Sequence, residues 1–447
     1  MRVANSILQE TSAMFTGSLT RSLRSRSLLA ALTVLTTAAG AAAQLRVVNY
    51  NIARLRGDDL ELEAVLHALN EDPAPESGLI RVPDVYLFQE ATSSSLTTLQ
   101  RFLNDNAPEG VTYRVATFTE NGGGGEQALL YRADTIAEDP SGHRDITNHT
   151  GPRATDRWKL TLVGQPDEFF FVYSSHFKAD DTSAARSQRE SEARAVRADG
   201  DALGEGAHII YSGDFNTYDP NEEAYLVFFD PGAGIALDPS GYVNIWPDIS
   251  HSQSPHDGTN NNLTTGGMDD RFDFQLSTDE FHDGAGFTME PGSYRVFAND
   301  GAHFNQAINA GFNSYFRSDE QYKADAAARG SDHLPIIVDY FTPGDPFRLE
   351  ADAMTAGNFT ELRVTGATPN QMVYFIYSLT GLGSTPVSGL GVTLRLDAPA
   401  LAGQARSDGA GAARLARIVP IQARGFDLWI QAAEFGATTD VVYREIF

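Results

Sequence analysis

The chain of 447 residues has no cysteine. That excludes disulfides, thiolate metal sites and a lipid-modified N-terminal cysteine, so stability rests on core packing and bound ions. Basic residues are also scarce, with 33 Lys and Arg against 59 Asp and Glu and a net charge of −26. Such a charge repels polyanions at long range and argues against gripping nucleic acid through a broad basic surface. It leaves room for a local site built around a cation. No segment reaches the roughly 20 apolar residues of a membrane helix. The apolar stretch "LLAALTVLTTAAG" follows the basic "RSLRSR" and precedes "AAAQ", which is the order of a secretory signal. Residues 1–43 are therefore expected to be a signal peptide cleaved near Ala43–Gln44, giving a secreted or periplasmic protein. Cleavage removes four Arg and one Glu, making the rest more negative still.

With 42% hydrophobic residues, the chain is long enough for two or more packed domains. Pro and Gly interrupt the last strong apolar run at "FTPGDPF", residues 341–347, and mark a boundary. Beyond a linker at 343–347, short segments such as "ELRVTG", "MVYFIYSL", "VTLRL", "DLWIQAAE" and "DVVYREIF" are separated by "TPN" and "SDGAGA". This predicts a small all-β sandwich over 348–447. It contains no His and no clustered acids, so it is expected to be an accessory module.

Residues 44–342 mix two periodicities. β-rich runs ("LRVVNYN", "DVYLFQE", "ALLYR", "FFFVYSS", "HIIYSGD", "PIIVDYF") alternate with helical patterns. Leu62, Val65, Leu66 and Leu69 recur at i, i+3, i+4, i+7, and Leu96, Leu99 and Leu103 follow a "SSS" with serine available as N-cap. The Arg- and Glu-rich stretch 184–202 reads as a third helix, exposed over most of its circumference. The fold class is α+β.

Polar residues recur where the apolar strands stop. One strand ends in Asn51, another in Glu90, a third in His176 and a fourth in Asp214 and Asn216, while "SDHLP" puts Asp332 and His333 before the last. Each has a plain alternative, since "GDFN" and "SDH" also serve as backbone-capping sequences. Strand ends of a packed sheet, however, converge on one rim where a rigid scaffold can hold a site.

In that order these residues resemble the endonuclease/exonuclease/phosphatase superfamily, the DNase I-like proteins, over about residues 45–342. The resemblance implies a four-layer αββα sandwich with a site at one edge of two facing sheets. It implies metal ligation by Glu90, with Asn51 beside it and Asp332 near a second ion, Mg²⁺ being expected and Ca²⁺ or Mn²⁺ alternatives. Asp214 would position or activate the attacking water and Asn216 would hold a phosphoryl oxygen. His333, oriented by Asp273, would be an acid/base group facing His176, and Glu126 would bond to His176 as in DNase I-like enzymes. Arg157, Lys178 and Arg271 are candidate phosphate contacts. The "PxWxDR" pattern of inositol phosphatases is missing, because the stretch reads Gly267-Met268-Asp269-Asp270-Arg271. The insertion "FANDGAHFNQAINAGFN" contributes His303, Asn305 and Asn309 to the cleft or to a surface loop. The expected function is a monomeric, metal-dependent phosphodiesterase acting on nucleic acid. A phosphomonoesterase or sphingomyelinase-like phospholipase acting on a small or lipid phosphoester and a non-catalytic binding protein are the alternatives.

Overall fold

In the strand Gln44–Asn51, Leu45 and Val47 enter one core while Val48 and Tyr50 enter another, because successive side chains of a strand point to opposite faces. A strand buried on both faces lies inside a layered molecule. The computed structural model describes residues 44–120, 125–256, 263–342 and 347–447. The expected signal segment 1–43 and most of the 343–347 linker lie outside the described residues.

Two sheets face each other. The first runs Thr288–Met289, Ile336–Phe341, Gln44–Asn51, Val85–Ala91, Glu126–Arg132, Tyr113–Val115. The second runs Ala236–Leu237, Asp273–Thr278, Ile209–Asp214, Gln165–His176, Thr155–Leu162, Ile136–Ile146. Leu45, Val47, Val85, Leu87, Trp158, Val172 and Ile210 form the core between them. Helices Asp59–Ala68, Ser93–Asp105 and Tyr322–Gly330 cover the outer face of the first sheet through Leu62, Leu66, Leu99, Leu103 and Ala327. Helix Ser183–Asp201 covers the second through Ala193 and Val196 against Tyr173 and Tyr211. Three separate cores between four layers make the αββα sandwich.

Two local expectations need correction. The N-cap of Ser93–Asp105 is Thr92, whose side chain accepts from Ser95 N while Ser95 Oγ accepts from Thr92 N; the reciprocal pair satisfies two free helix-end donors. The polar helix Ser183–Asp201 is buried along one side despite its composition. Arg189 is fully buried because Glu222 Oε1 accepts from its Nε at 2.5 Å and the Lys178 and Asp180 carbonyls accept from its Nη1, the pairing that buried charge requires.

Residues 348–447 carry their own sheets: a three-stranded one of Arg348–Ala351, Phe359–Thr365 and Ala413–Ile418, a hairpin of Leu382–Val387 and Val392–Leu396, and a larger one around Met372–Ser378 and Asp427–Glu434. Leu349, Leu362, Val373, Phe375 and Ile430 share their core. The larger sheet takes its edge strand, Leu79–Ile80, from the first part of the chain, paired antiparallel to Val441–Val442. Arg81 extends that contact through Asp440 at 2.8 Å. A cleft of about 890 Å³ lined by Asp72, Tyr294, Arg317, Thr380, Trp429 and Tyr443 lies along this junction, away from the strand ends described next.

Candidate active site

Register brings three acid/base side chains into one row. His176 lies opposite Asp214 in the parallel ladder, and Asp214 lies opposite Asp273 in the antiparallel one. Residues level with one another on paired strands share a face, here the one turned towards the first sheet. The close approach is possible because Gly213 has φ 137° and a Cβ there would collide with the Ser175 carbonyl, a place only glycine fills without strain. From the facing sheet, Asn51 reaches across to donate from Nδ2 to Asp214 Oδ2 at 3.0 Å. The loop before Ile336–Phe341 adds Asp332 and His333, tied down by Ser331 Oγ donating to the Asn51 carbonyl at 2.7 Å.

Asp214 Oδ2 is the hub. Besides Asn51, it has His176 Nε2 at 3.5 Å and His333 Nε2 at 3.7 Å. Burial pushes its carboxyl up to about 7, against the pull of His333. His333 Nδ1 lies 2.7 Å from Asp273 Oδ2, and Ser252 Oγ donates to the same oxygen at 2.7 Å. Burial opposes a charge on His333, but Asp273 and then Asp214 hold the proton and push it up to about 10. His176 goes the other way: burial, then Arg153 and His333, keep it well below the ordinary imidazole range. The surroundings thus push the two histidines of the rim in opposite directions.

Glu90 stands at a left-handed backbone position, φ 59°, where the ladder to Glu126–Arg132 shifts register. Its Oε2 faces Arg54 Nε at 3.3 Å and Arg56 Nη2 at 3.6 Å, and among the described residues it accepts no hydrogen bond. Two guanidinium groups therefore stand where positive charge is wanted. The oxygens of Glu90, Asn51 and Asp332 suit a hard divalent cation such as Mg²⁺, which takes few carboxylates and keeps several waters. Asp332 is buried and accepts from Thr264 N at 2.7 Å. Asn216, at φ 50°, donates from its own backbone N to Asp214 Oδ1 and from Nδ2 to the Phe177 carbonyl at 3.3 Å, leaving one amide N–H for another acceptor.

One expected contact is not formed, and the three candidate phosphate contacts are each paired within the protein. His176 Nδ1 is buried without a hydrogen-bond partner and Nε2 faces Asp214, so the Glu126–His176 bond is absent. In the strand Glu126–Arg132 it is Leu129 that enters the core between the sheets, and Gln127, which shares its parity, reaches Ala154 O of the second sheet; Ala128 and Leu130 turn to the helices. Arg157 bonds to Asp199 and the Gly142 carbonyl, Lys178 to Asp180 and the Ala179 carbonyl. Arg271 is buried against Asp238, Ser240 and Tyr294. All three are structural cations. The rim has Arg54 and Arg56 beside Glu90, and Arg153, whose Nη1 donates to the Phe177 carbonyl at 3.2 Å. No strand-end pattern flagged these, because they sit outside the strands, Arg54 within a run of left-handed residues Ala53, Arg54 and Leu55 and Arg56 directly after it. Ser252 and Gln253, whose Nε2 is 2.7 Å from His333 Nε2, were equally invisible. In the insertion, His303 pairs with Asp300 at 2.8 Å, within its own loop, and Asn309 donates to Asp325 of the helix Tyr322–Gly330 at 2.8 Å.

No family model and no curated protein matches the chain. Among solved structures it is similar to D. rerio TDP2 complexed with single strand DNA product, at 15% identity over 67% of this chain and 100% of that one, TM-score 0.44. It is also similar to the human Nocturnin catalytic domain with bound sulfate anion, at 14% identity over 67% and 93%, TM-score 0.40. An endonuclease/exonuclease/phosphatase from Beutenbergia cavernae DSM 12333 matches at 12% identity over 90% and 98%, TM-score 0.39. The strand order, the three cores and the rim between the facing sheets make residues 44–342 a DNase I-like four-layer αββα fold.

Proposed function

We propose that the chain is an exported, divalent-cation-dependent phosphoester hydrolase whose preferred bond is a phosphodiester of nucleic acid. The observation that carries this reading is Asp214 Oδ2 within 3.7 Å of Asn51, His176 and His333 at once, with His333 backed by Asp273. Phosphoester hydrolysis needs an activated water, neutralisation of charge on the phosphoryl oxygens and a proton for the leaving oxygen. Asp214, an acceptor between two imidazoles, is suited to orient the water and take its proton. His333, its Nδ1 fixed by Asp273, is suited to stabilise the developing charge or exchange a proton with the leaving oxygen. The spare amide hydrogen of Asn216 supplies a donor for a phosphoryl oxygen. Glu90, Asn51 and Asp332 are the residues that would hold Mg²⁺, or Ca²⁺ or Mn²⁺ in its place, and such a cation when bound neutralises phosphoryl charge.

The preference for a diester rests on the charge of the rim. Among the described residues, the acids Glu90, Asp214, Asp273 and Asp332 gather at the rim with Arg54, Arg56, Arg153 and the imidazoles of His176 and His333, so a singly charged diester meets less repulsion than a doubly charged monoester. The order of basic, apolar and small residues over 21–43 supports export. The test is nicking of supercoiled plasmid beside phosphomonoesters and sphingomyelin vesicles, each with Mg²⁺, Ca²⁺ or EDTA. Nicking that needs a divalent cation and disappears in Glu90→Gln, with an unchanged circular-dichroism spectrum, is expected. Full activity in EDTA or in that variant overturns the cation; turnover of monoesters alone overturns the diester; silence on every substrate favours a binding protein.

A further inference from the structure

The strands Ile136–Ile146 and Thr155–Leu162 form a hairpin at the edge of the second sheet, and near its end Asp145 lies directly opposite Asp156. His143 is two residues before Asp145, hence on the same face, and one potential ligand atom from each of the three lies within 4.8 Å of the others. Opposed like charges weaken a ladder. Here one of them is also taken out of water: Asp156 is 1% exposed. Both of its carboxylate oxygens are buried without a hydrogen-bond partner, as are Asp145 Oδ1 and His143 Nε2. Among the described residues no Lys or Arg pairs with Asp145 or Asp156; the nearby Arg144 and Arg157 both serve Asp199 instead. His143 Nε2 lies 3.6 Å from Asp145 Oδ1, beyond hydrogen-bond reach, and leaving several buried polar atoms unsatisfied costs about 1–3 kcal/mol each; an ion bridging them would supply the missing partner.

We infer that His143, Asp145 and Asp156 form a second cation site, distinct from the one at Glu90 and holding a divalent transition-metal ion of the Zn²⁺ type. One imidazole nitrogen with two carboxylates is a donor set that Zn²⁺ takes readily, whereas Mg²⁺ and Ca²⁺ prefer oxygen alone. The site ties the outer hairpin to the strand Gln165–His176, because Asp156 is opposite Ser174, two residues before His176. It is a structural brace behind the rim. The inference stands whether or not the rim hydrolyses phosphoesters.

The Glu90→Gln protein, which lacks the principal ligand of the rim, isolates this site. After chelation and dialysis it should bind one equivalent of Zn²⁺ by calorimetry, gain about 5 °C in Tm at saturating metal and, with Co²⁺ as a spectroscopic probe, show a visible absorption band. Adding Asp156→Asn or His143→Gln should lower the affinity about 10²-fold or more and remove the band. His143 is the less buried of the two and keeps the test open if Asp156→Asn fails to fold. Equal Zn²⁺ binding with and without His143→Gln, or no Zn²⁺ bound by Glu90→Gln, overturns the site and leaves a proton shared between the two carboxyls as the explanation.

Discussion

At the scale of single residues, the rim works by setting neighbouring groups to different protonation states. Asp273 contributes by holding the His333 proton and ring orientation through the 2.7 Å contact. Asp273→Asn keeps the shape and removes that hold, so kcat should fall about 10²-fold or more with little change in KM, read from steady-state kinetics on a soluble diester. Away from the rim, Glu192 is buried on the helix Ser183–Asp201, where its carboxylate accepts from Lys178 N at 2.9 Å and would collide with any side chain at position 151. Burial lifts its carboxyl from 4.5 to about 7. A folded-state pKa raised in this way stabilises the fold fully below the unfolded value and ceases to do so as pH rises through about 7. Glu192→Gln, neutral at every pH, should therefore match the parent near pH 4 and exceed it by about 2–3 kcal/mol above pH 8, measured by urea denaturation at both pH values.

At the scale of elements, the strand Ile209–Asp214 is the one whose backbone the site depends on most. It combines a φ of 137° at Gly213 with a space in which an added Cβ would run into the Ser175 carbonyl. Any Cβ must push apart the two parallel strands that align His176 with Asp214. Gly213→Ala should cost about 3 kcal/mol or more and displace Asp214 from Asn51, so loss of activity should accompany loss of stability in thermal melts and assays of the same preparation. Strands of this kind were legible because they are continuous apolar runs. The strands Ile136–Ile146, Thr155–Leu162 and Asp273–Thr278 were not recognised. The first is mostly half-buried or exposed, and an edge strand with a polar face carries too weak an alternation to stand out. The third is buried throughout yet reads "DFQLST", its Gln275 Nε2 finding an acceptor, Tyr340 Oη, only across the two sheets.

At the scale of the whole molecule, the division near residue 343 remains a proposal with a physical qualification. Every rim residue precedes it, but Ile80 shares a core with Ile376, Leu394 and Val441. Arg81 and Arg317 are paired to Asp440 and Asp427. A chain ending at residue 342 should melt about 5 °C or more below the parent because this junction is stripped, while its folded fraction keeps turning over a soluble substrate at low temperature. Loss of turnover in a chain that remains folded would make the β module part of the site.

The sequence by itself determined a mixed α and β class and the strand ends at which Asn51, Glu90, His176, Asp214 and Asn216 stand. These follow from local periodicity, which survives when the chain is read one segment at a time; the αββα layering and the pairing of Asp273 with His333 were implied only by the family resemblance that those residues carry. Only the tertiary structure decided which cations serve the rim and which are structural, that Glu126 does not bond to His176, that Leu79–Ile80 completes a sheet of the distant module, and that His143, Asp145 and Asp156 converge. Each of those depends on ladder register and strand parity. A one-residue shift of register moves a side chain to the opposite face of its sheet, and register is settled by packing between segments far apart in the chain, not by the segments themselves.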